Sequence, residues 1–417
     1  MFDKEIIEVN SLPNDIKKGG IYFINQNSVN SYTHNFFKYP CKFIPEIPRW
    51  GLKKYGKKNS KIFDPFAGSG TTILESIIMG NDSYYTEIDK VANLIIKVKT
   101  KKFSKEELLK ITSEYKNILN HYNEEVFIEP HIDNLYHWFS KENAEQLGKI
   151  ISIINKIENE DIRDFFKICF VSIIKKCSFA DDSSPKPYVS SKIKKVPCNV
   201  LDEFKKTYEK YRKSEIELSK LDAIGKAIKL TGDALYFDSN VKFELAITSP
   251  PYINAFDYGR TMRLENLWLD LLTEEELRKQ KSKYVGTEKV CKNDNDDLSI
   301  LNYSDTLKKI YYDVEKIDIK RAIIIKKFFD DMKTNLSSVK EKLKKNGHYI
   351  IVIGDSKIRN INIPSSKILT DIAIKIGYSL ETNFSYVIRN PYINIPRNGR
   401  GGKISYDNII VLKKEVK

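Results

Sequence analysis

The chain has 417 residues, of which 41% are hydrophobic and 30% charged, the balance of a globular protein and not of a disordered or fibrous one. Seventy Lys and Arg against 56 Asp and Glu leave a formal net charge of +14, which suits a polyanion such as nucleic acid, although solvated lysine faces give the same excess. No apolar run reaches the roughly 18–20 residues of a membrane span, and the opening MFDKEIIEVN lacks the basic-then-apolar order of a signal peptide, so a soluble, cytoplasmic protein is expected.

In chain order, residues 61–67 (KIFDPFA) read as a strand that runs into Gly68-Ser69-Gly70-Thr71-Thr72 and then into ILESIIMG at helical spacing. After Gly80 and Asn81, SYYTEID reads as a second strand and VANLIIKVKTKK as a helix. This β-α-β-α opening starts a doubly wound sheet. From about Phe103 to Lys229 the pattern becomes long helical periodicity, broken by the loop-like DDSSPKPYVSSKIKKVP at 181–197. Strands resume in AIKLTGDALYF and FELAITSPPY, and later in HYIIVIGD, ETNFSYVIRN and YDNIIVLKK. The last two read as an antiparallel hairpin closing one edge of a mixed sheet. The expected organisation is an α/β domain in two parts, 1–99 and 229–417, around a helical insertion at 100–228. Five scattered cysteines (Cys41, Cys169, Cys177, Cys198, Cys291) with no C-x-x-C read as free thiols in a reducing compartment, and no metal site is expected.

Three ligands compete for the glycine loop. A P-loop needs G-x-x-x-x-G-K-[ST], and no Lys stands where it is required. A dinucleotide fingerprint lacks its third glycine, since Ile73 occupies that place. An adenosyl group without phosphates remains. Asp64-Pro65-Phe66-Ala67-Gly68-Ser69-Gly70-Thr71-Thr72 resembles motif I of the S-adenosylmethionine-dependent DNA amino-methyltransferases, the N4-cytosine and N6-adenine enzymes. The resemblance implies a Rossmann-like methyltransferase fold with a mixed seven-stranded sheet and a terminal antiparallel hairpin, and S-adenosyl-L-methionine as cofactor. It further implies that Glu87, at the end of the second strand, accepts from the two ribose hydroxyls, as carboxylates do in dinucleotide folds, and that Asp233, with Ala234, reads the cofactor's adenine. Alone, each acidic residue reads more often as a solvated cap or turn at a strand end.

Thr248-Ser249-Pro250-Pro251-Tyr252 follows the strand FELAI and is similar to motif IV of the same family in its S-P-P-Y form. An exocyclic amine is a poor nucleophile because its lone pair is delocalised into the base. Acceptors placed against it, here the Ser249 hydroxyl and the Pro250 carbonyl, pull it toward sp3 geometry. Pro250 has no N–H, and proline's fixed φ holds that carbonyl in place. A base stacked in a duplex must be extruded to reach such a site, where Tyr252 would stack on it. Ser249, Pro250, Pro251 and Tyr252 are therefore the expected catalytic tetrad, with Ser249 also facing the cofactor.

The segment from Thr33 through Lys38, Tyr39 and Pro40 to Lys42-Phe43-Ile44-Pro45 resembles motif X, which packs over the methionine end of the cofactor. The order X, I, insertion, IV makes the chain look circularly permuted relative to S-P-P-Y members that carry motif IV first. Arg260 and Arg263 stand about one turn apart in what reads as a helix after the tetrad. They are open to a phosphate contact or to ion pairs with Glu265 and Asp270. The loop 397–403 and the lysines Lys186, Lys192, Lys194 and Lys195 are further phosphate candidates, the latter making 100–228 the candidate DNA-recognition region. The expected function is methylation of the N4 amine of cytosine in double-stranded DNA, alongside a possible cognate restriction endonuclease. N6-adenine methylation is the alternative. An RNA or protein methyltransferase, or a non-catalytic DNA-binding relative, fits the two motifs less well.

Overall fold

A computed structural model of the chain describes residues 5–25, 28–40, 42–192, 194–222, 224–253, 258–388 and 405–415. Its strands are β1 (Ile6–Val9), β2 (Ile21–Ile24), β3 (Lys61–Asp64), β4 (Asp82–Tyr85), β5 (Ala227–Lys229), β6 (Phe243–Thr248), β7 (Leu343–Ile353), β8 (Ser356–Ile358), β9 (Ile361–Ile363), β10 (Tyr378–Val387) and β11 (Tyr406–Lys414). Among the described residues nine of them form one sheet in the order β1-β2-β10-β11-β7-β6-β3-β4-β5, while β8 and β9 make a separate hairpin. Within the large sheet only β11 runs antiparallel to its neighbours, pairing with β10 on one side and β7 on the other. The seven expected strands are thus present as β10-β11-β7-β6-β3-β4-β5. The hairpin does not close the sheet, however, because β1 and β2 add two parallel strands beyond β10.

Side-chain alternation along a strand sorts residues to opposite faces, and β7 shows it. Ile350 and Val352 join Ile62, Ile247, Ile409 and Val411 beneath Ile47 and Trp50 of α1 (Glu46–Tyr55). Tyr349, Ile351 and Ile353 join Phe63, Ala246 and Ile410 in the core on the other face. There they meet Phe328, Phe329, Met332 and Leu336 of the long helix Ile319–Lys342, and Ile368, Leu369 and Ile372 of the helix Ser365–Ile376.

Helix α2 (Thr71–Ile78) follows β3 and α3 (Lys90–Lys99) follows β4, the latter capped by Asp89, whose side chain accepts from Ala92 N–H. The insertion then runs through α4 (Lys105–His121), α5 (Leu135–Trp138), α6 (Lys141–Asn155), α7 (Glu160–Ile174) and α8 (Val200–Ser219). A Ser104/Glu107 capping box starts α4, and Asn199 caps α8. Its core of Ile150, Phe165, Phe166, Phe170 and Phe204 is not self-contained. It takes in Phe36 and Phe37, Val91 and Ile95 of α3, and Leu264, Leu267 and Trp268 from beyond the tetrad. The helices therefore brace the segments on both sides of the glycine loop. No helix among the described residues is long and apolar enough to cross a membrane.

Candidate active site

β3, β4 and β6 all end on one edge of the sheet, and the glycine loop starts there. Asp64, the last residue of β3, is fully buried, and its Oδ1 accepts from the Thr248 hydroxyl at 2.6 Å and from Phe66 N–H at 3.1 Å. Phe66 N–H also reaches Thr248 Oγ1 at 3.2 Å, and the Thr72 hydroxyl donates to the Ile247 carbonyl at 3.3 Å. The start of the loop is thereby locked to the end of β6, one residue before Ser249. Burial pushes the Asp64 carboxyl up to about 6, against the pull of those hydrogen bonds.

The rest of the loop is pinned from two more sides. The Thr86 hydroxyl, just past β4, donates to Pro65 O at 2.6 Å, and Ala67 N–H donates to Thr86 O at 3.3 Å. Lys99, at the end of α3, is fully buried and its ammonium donates to Ser69 O at 2.9 Å. Burial holds the Lys99 ammonium well below the usual lysine range. Gly68 (φ +50°) and Gly70 (φ +74°) occupy the left-handed region that favours glycine. A Cβ on Gly68 would lie 3.4 Å from the Tyr39 ring.

Glu87 uses both carboxylate oxygens on backbone donors, Oε2 on Gly68 N–H and Oε1 on Asp89 N–H, each at 2.8 Å. Burial, reinforced by the neighbouring Asp89, pushes its carboxyl up to about 8. Asp233 Oδ1 accepts from Leu235 N–H at 2.8 Å and Tyr236 N–H at 2.9 Å, closing a tight turn. That turn is held by the long helix, whose Asn335 and Ser338 donate to the carbonyls of Ala234 and Leu235, both at 2.6 Å.

These parts surround one cleft. Of the residues singled out in the sequence, Tyr39, Pro40, Pro65, Phe66, Ala67, Gly68, Ser69, Thr71, Glu87, Asp233, Ala234, Ser249 and Pro251 line it. Asp64, Gly70, Thr72 and Pro250 do not. The first three support the loop from below, and Pro250 is buried. Tyr252 is outside the lining as well, its hydroxyl bonded to Asp407 on β11. Lys38 is exposed and is not part of the lining, whereas Lys42 is. The segment turns in the 3-10 stretch Tyr32–Asn35, which is tied back to the body when the Thr33 hydroxyl donates to Lys99 O at 2.6 Å. The Lys42 ammonium donates to His34 O at 2.5 Å, and burial pushes it down to about 8.

Phe43 of the motif X segment is in the same lining, and sequence reasoning missed Thr86, Ile88, Leu235, Lys283, Tyr284 and Val285 there. The last three come from a stretch that carries no motif. It follows the helix Glu274–Gln280, whose Gln280 donates to Ile88 O at 2.9 Å, while the Tyr284 hydroxyl reaches Asp89 at 3.3 Å. Gly286 (φ +78°) lets that stretch approach the tetrad, since a Cβ there would sit 3.2 Å from Tyr252 O.

Other readings are corrected by their partners. Arg263 pairs with Glu274, not with Glu265 or Asp270, and its guanidinium lies over the Trp138 ring at 5.4 Å. Lys195 is an internal brace, donating to Lys175 O, Ala180 O and Asp182, whereas Lys192 and Lys194 are exposed and Lys186 is half-buried. Arg260 is exposed. Asp257 and the loop 397–403 lie outside the described residues.

Comparison with known proteins supplies the context for this geometry. The family model described as DNA methylase (N6_N4_Mtase) matches residues 3–98. The Type II methyltransferase M.MvaI of Kocuria varians is 25% identical over 98% of this chain and 95% of its own length. The Type II methyltransferase M.AvaI of a Nostoc species is 23% identical over 84% of this chain and 79% of its own. The Type II methyltransferase M.MjaII of Methanocaldococcus jannaschii reaches 33% identity over 21% of this chain and 17% of its own.

Proposed function

Because the chain belongs to the S-adenosylmethionine-dependent DNA amino-methyltransferase family, we propose that it transfers the methyl group to the exocyclic N4 amine of cytosine at a specific site in duplex DNA. Amino-methylation of DNA with this cofactor is the activity of the family; the choice of cytosine is the proposal. The observation that carries it is the placing of Ser249 and Pro251 in the same cleft as the glycine loop, Glu87 and Asp233. Serine before the two prolines favours cytosine N4. Adenine N6 is the second reading, since the same acceptors serve either amine. Incubating DNA with the protein and S-adenosylmethionine, then analysing its nucleosides by mass spectrometry, should yield N4-methylcytosine. N6-methyladenine in its place would reassign the base, and no methylated nucleoside at all would remove the enzymatic reading.

The residues present fit the cofactor. Each carboxylate oxygen of Glu87 takes one backbone N–H and keeps lone-pair capacity for a ribose hydroxyl. Thr71 Oγ1 is buried without a protein partner in a residue that lines the cleft, so it is available to a polar ligand atom. The absent side chain of Gly68 leaves space against Tyr39. Glu87 would hold the ribose, Asp233 and Ala234 the adenine, and Tyr39, Pro40 and Lys42 the methionine end. When bound, S-adenosylmethionine supplies an electrophilic methyl group on a sulfonium. The protein's own part is alignment and polarisation: the Ser249 hydroxyl and the Pro250 carbonyl accept from the target amine and localise its lone pair. Tyr252 stacks on the extruded base.

The helical insertion is proposed as the DNA-recognition region, supported by the formal charge of +14 and by the exposed Lys192 and Lys194 on its loop. Each lysine–phosphate contact adds about 0.9 to the log–log salt slope of duplex binding. Replacing Lys186, Lys192 and Lys194 by Ser should therefore flatten that slope by roughly one to three units with cofactor affinity unchanged. A slope equal to the parent's would move the grip to another surface. The Type II names of the relatives support a cognate restriction endonuclease as a second partner, to be sought as an activity that cuts unmethylated DNA and spares DNA this protein has modified.

A further inference from the structure

The Tyr252 hydroxyl donates to Asp407 Oδ1 at 2.7 Å, and the Tyr386 hydroxyl donates to Asp407 Oδ2, also at 2.7 Å. Asp407 is 7% exposed, and Tyr386 lies directly opposite it in the β10–β11 register. β11 runs against the rest of the sheet, so its first residues stand on the edge where β6 and β7 end and where the tetrad begins. A carboxylate buried this deeply needs both oxygens satisfied, and here two phenols do it. The two hydrogen bonds on Asp407 therefore tie the last residue of the tetrad to both strands of the β10–β11 hairpin.

Resting on the reading of Tyr252 as the residue that stacks on the extruded base, we propose that Asp407 is its positioning residue. The carboxylate fixes the phenol end of Tyr252 and so fixes the plane of the ring before the base arrives. An aromatic ring joined to the backbone through two freely chosen torsions must be ordered when the base enters. A ring held at its far end has been ordered already. Asp407 touches neither base nor cofactor in this role, and nothing in the tetrad's sequence points to it.

The test uses the full-length protein with two duplexes, one carrying the natural target base for the methylation rate and one with 2-aminopurine in its place for extrusion; sequencing of methylated DNA defines the target position. Tyr252→Phe keeps the ring and removes only the tether. Asp407→Asn keeps the shape but can accept from only one of the two phenols through its single oxygen. Each should lower the single-turnover methylation rate about 10-fold, the scale of a hydrogen bond to a charged group. Each should also weaken the 2-aminopurine signal of extrusion, with S-adenosylhomocysteine affinity unchanged. The double variant should be no slower than the slower single one, as expected for two ends of one contact. Parent rate and parent fluorescence in Tyr252→Phe overturn the proposal, as do fully additive effects in the double variant. Tyr252→Ala separates the two levels of inference. If it is crippled while Tyr252→Phe matches the parent, only the tether's role falls; if it too is fully active, the stacking reading falls with it.

Discussion

Gly68→Leu should abolish detectable binding of S-adenosylhomocysteine, a loss of at least ~100-fold measured by calorimetry on a protein that still folds. Two effects act at this position and they are separable. The backbone sits at φ +50°, where an L side chain costs about 1–2 kcal/mol; that strain falls on stability. The side chain itself would start 3.4 Å from the Tyr39 ring and extend into the cleft, and that obstruction falls on binding. Gly80 supplies the control. It ends α2 at φ +76°, and a Cβ there meets nothing within 4 Å. Gly80→Leu should therefore lose comparable stability and keep its affinity. If Gly68→Leu binds like the parent, the loop does not face the cofactor. If Gly80→Leu loses binding equally, strain and not occupancy is the cause.

What could be read in the sequence was what short-range chemistry encodes. A strand, a two-glycine turn and an apolar helix in immediate succession give β3, the loop and α2, because only glycine enters the left-handed region freely. Glu87, Asp233 and Ser249 were legible as polar residues at the ends of apolar runs, and the cleft draws all three together. The four-residue runs of β1 and β2 were too short to separate from coil, so the sheet's far edge was placed wrongly. Other features were invisible because they depend on residues distant in sequence. Lys99 reads as a solvated lysine at a helix end but is fully buried holding Ser69 O, 30 residues away. Tyr284 reads as part of an unremarkable polar stretch, yet it lines the cleft through contacts 195 residues distant. Lys195 and Arg263 looked available for phosphate, and only the folded chain supplies the carbonyls, carboxylate and indole that occupy them.

Ser249→Ala should slow single-turnover methylation by about 100–1000-fold, the range seen when one preorganised polarising hydrogen bond is lost, while S-adenosylhomocysteine affinity stays near the parent value. The separation follows from how the strand end is anchored. The residues just before Ser249 are fixed independently of its side chain, Thr248 by its hydroxyl on Asp64 at 2.6 Å and Ile247 by the Thr72 hydroxyl on its carbonyl. Removing the Ser249 hydroxyl therefore leaves the Pro250 carbonyl where it was and leaves the glycine loop, which shares Asp64, undisturbed. Affinity for duplex DNA should also hold, because the missing group meets the base only after extrusion. The amine would still be polarised by the Pro250 carbonyl, which is why a residual rate is expected and not zero. A fall in cofactor affinity matching the fall in rate would mean that Ser249 serves the cofactor and not the amine. A parent-like single-turnover rate would leave the Pro250 carbonyl as the sole acceptor and would withdraw the serine from the chemistry.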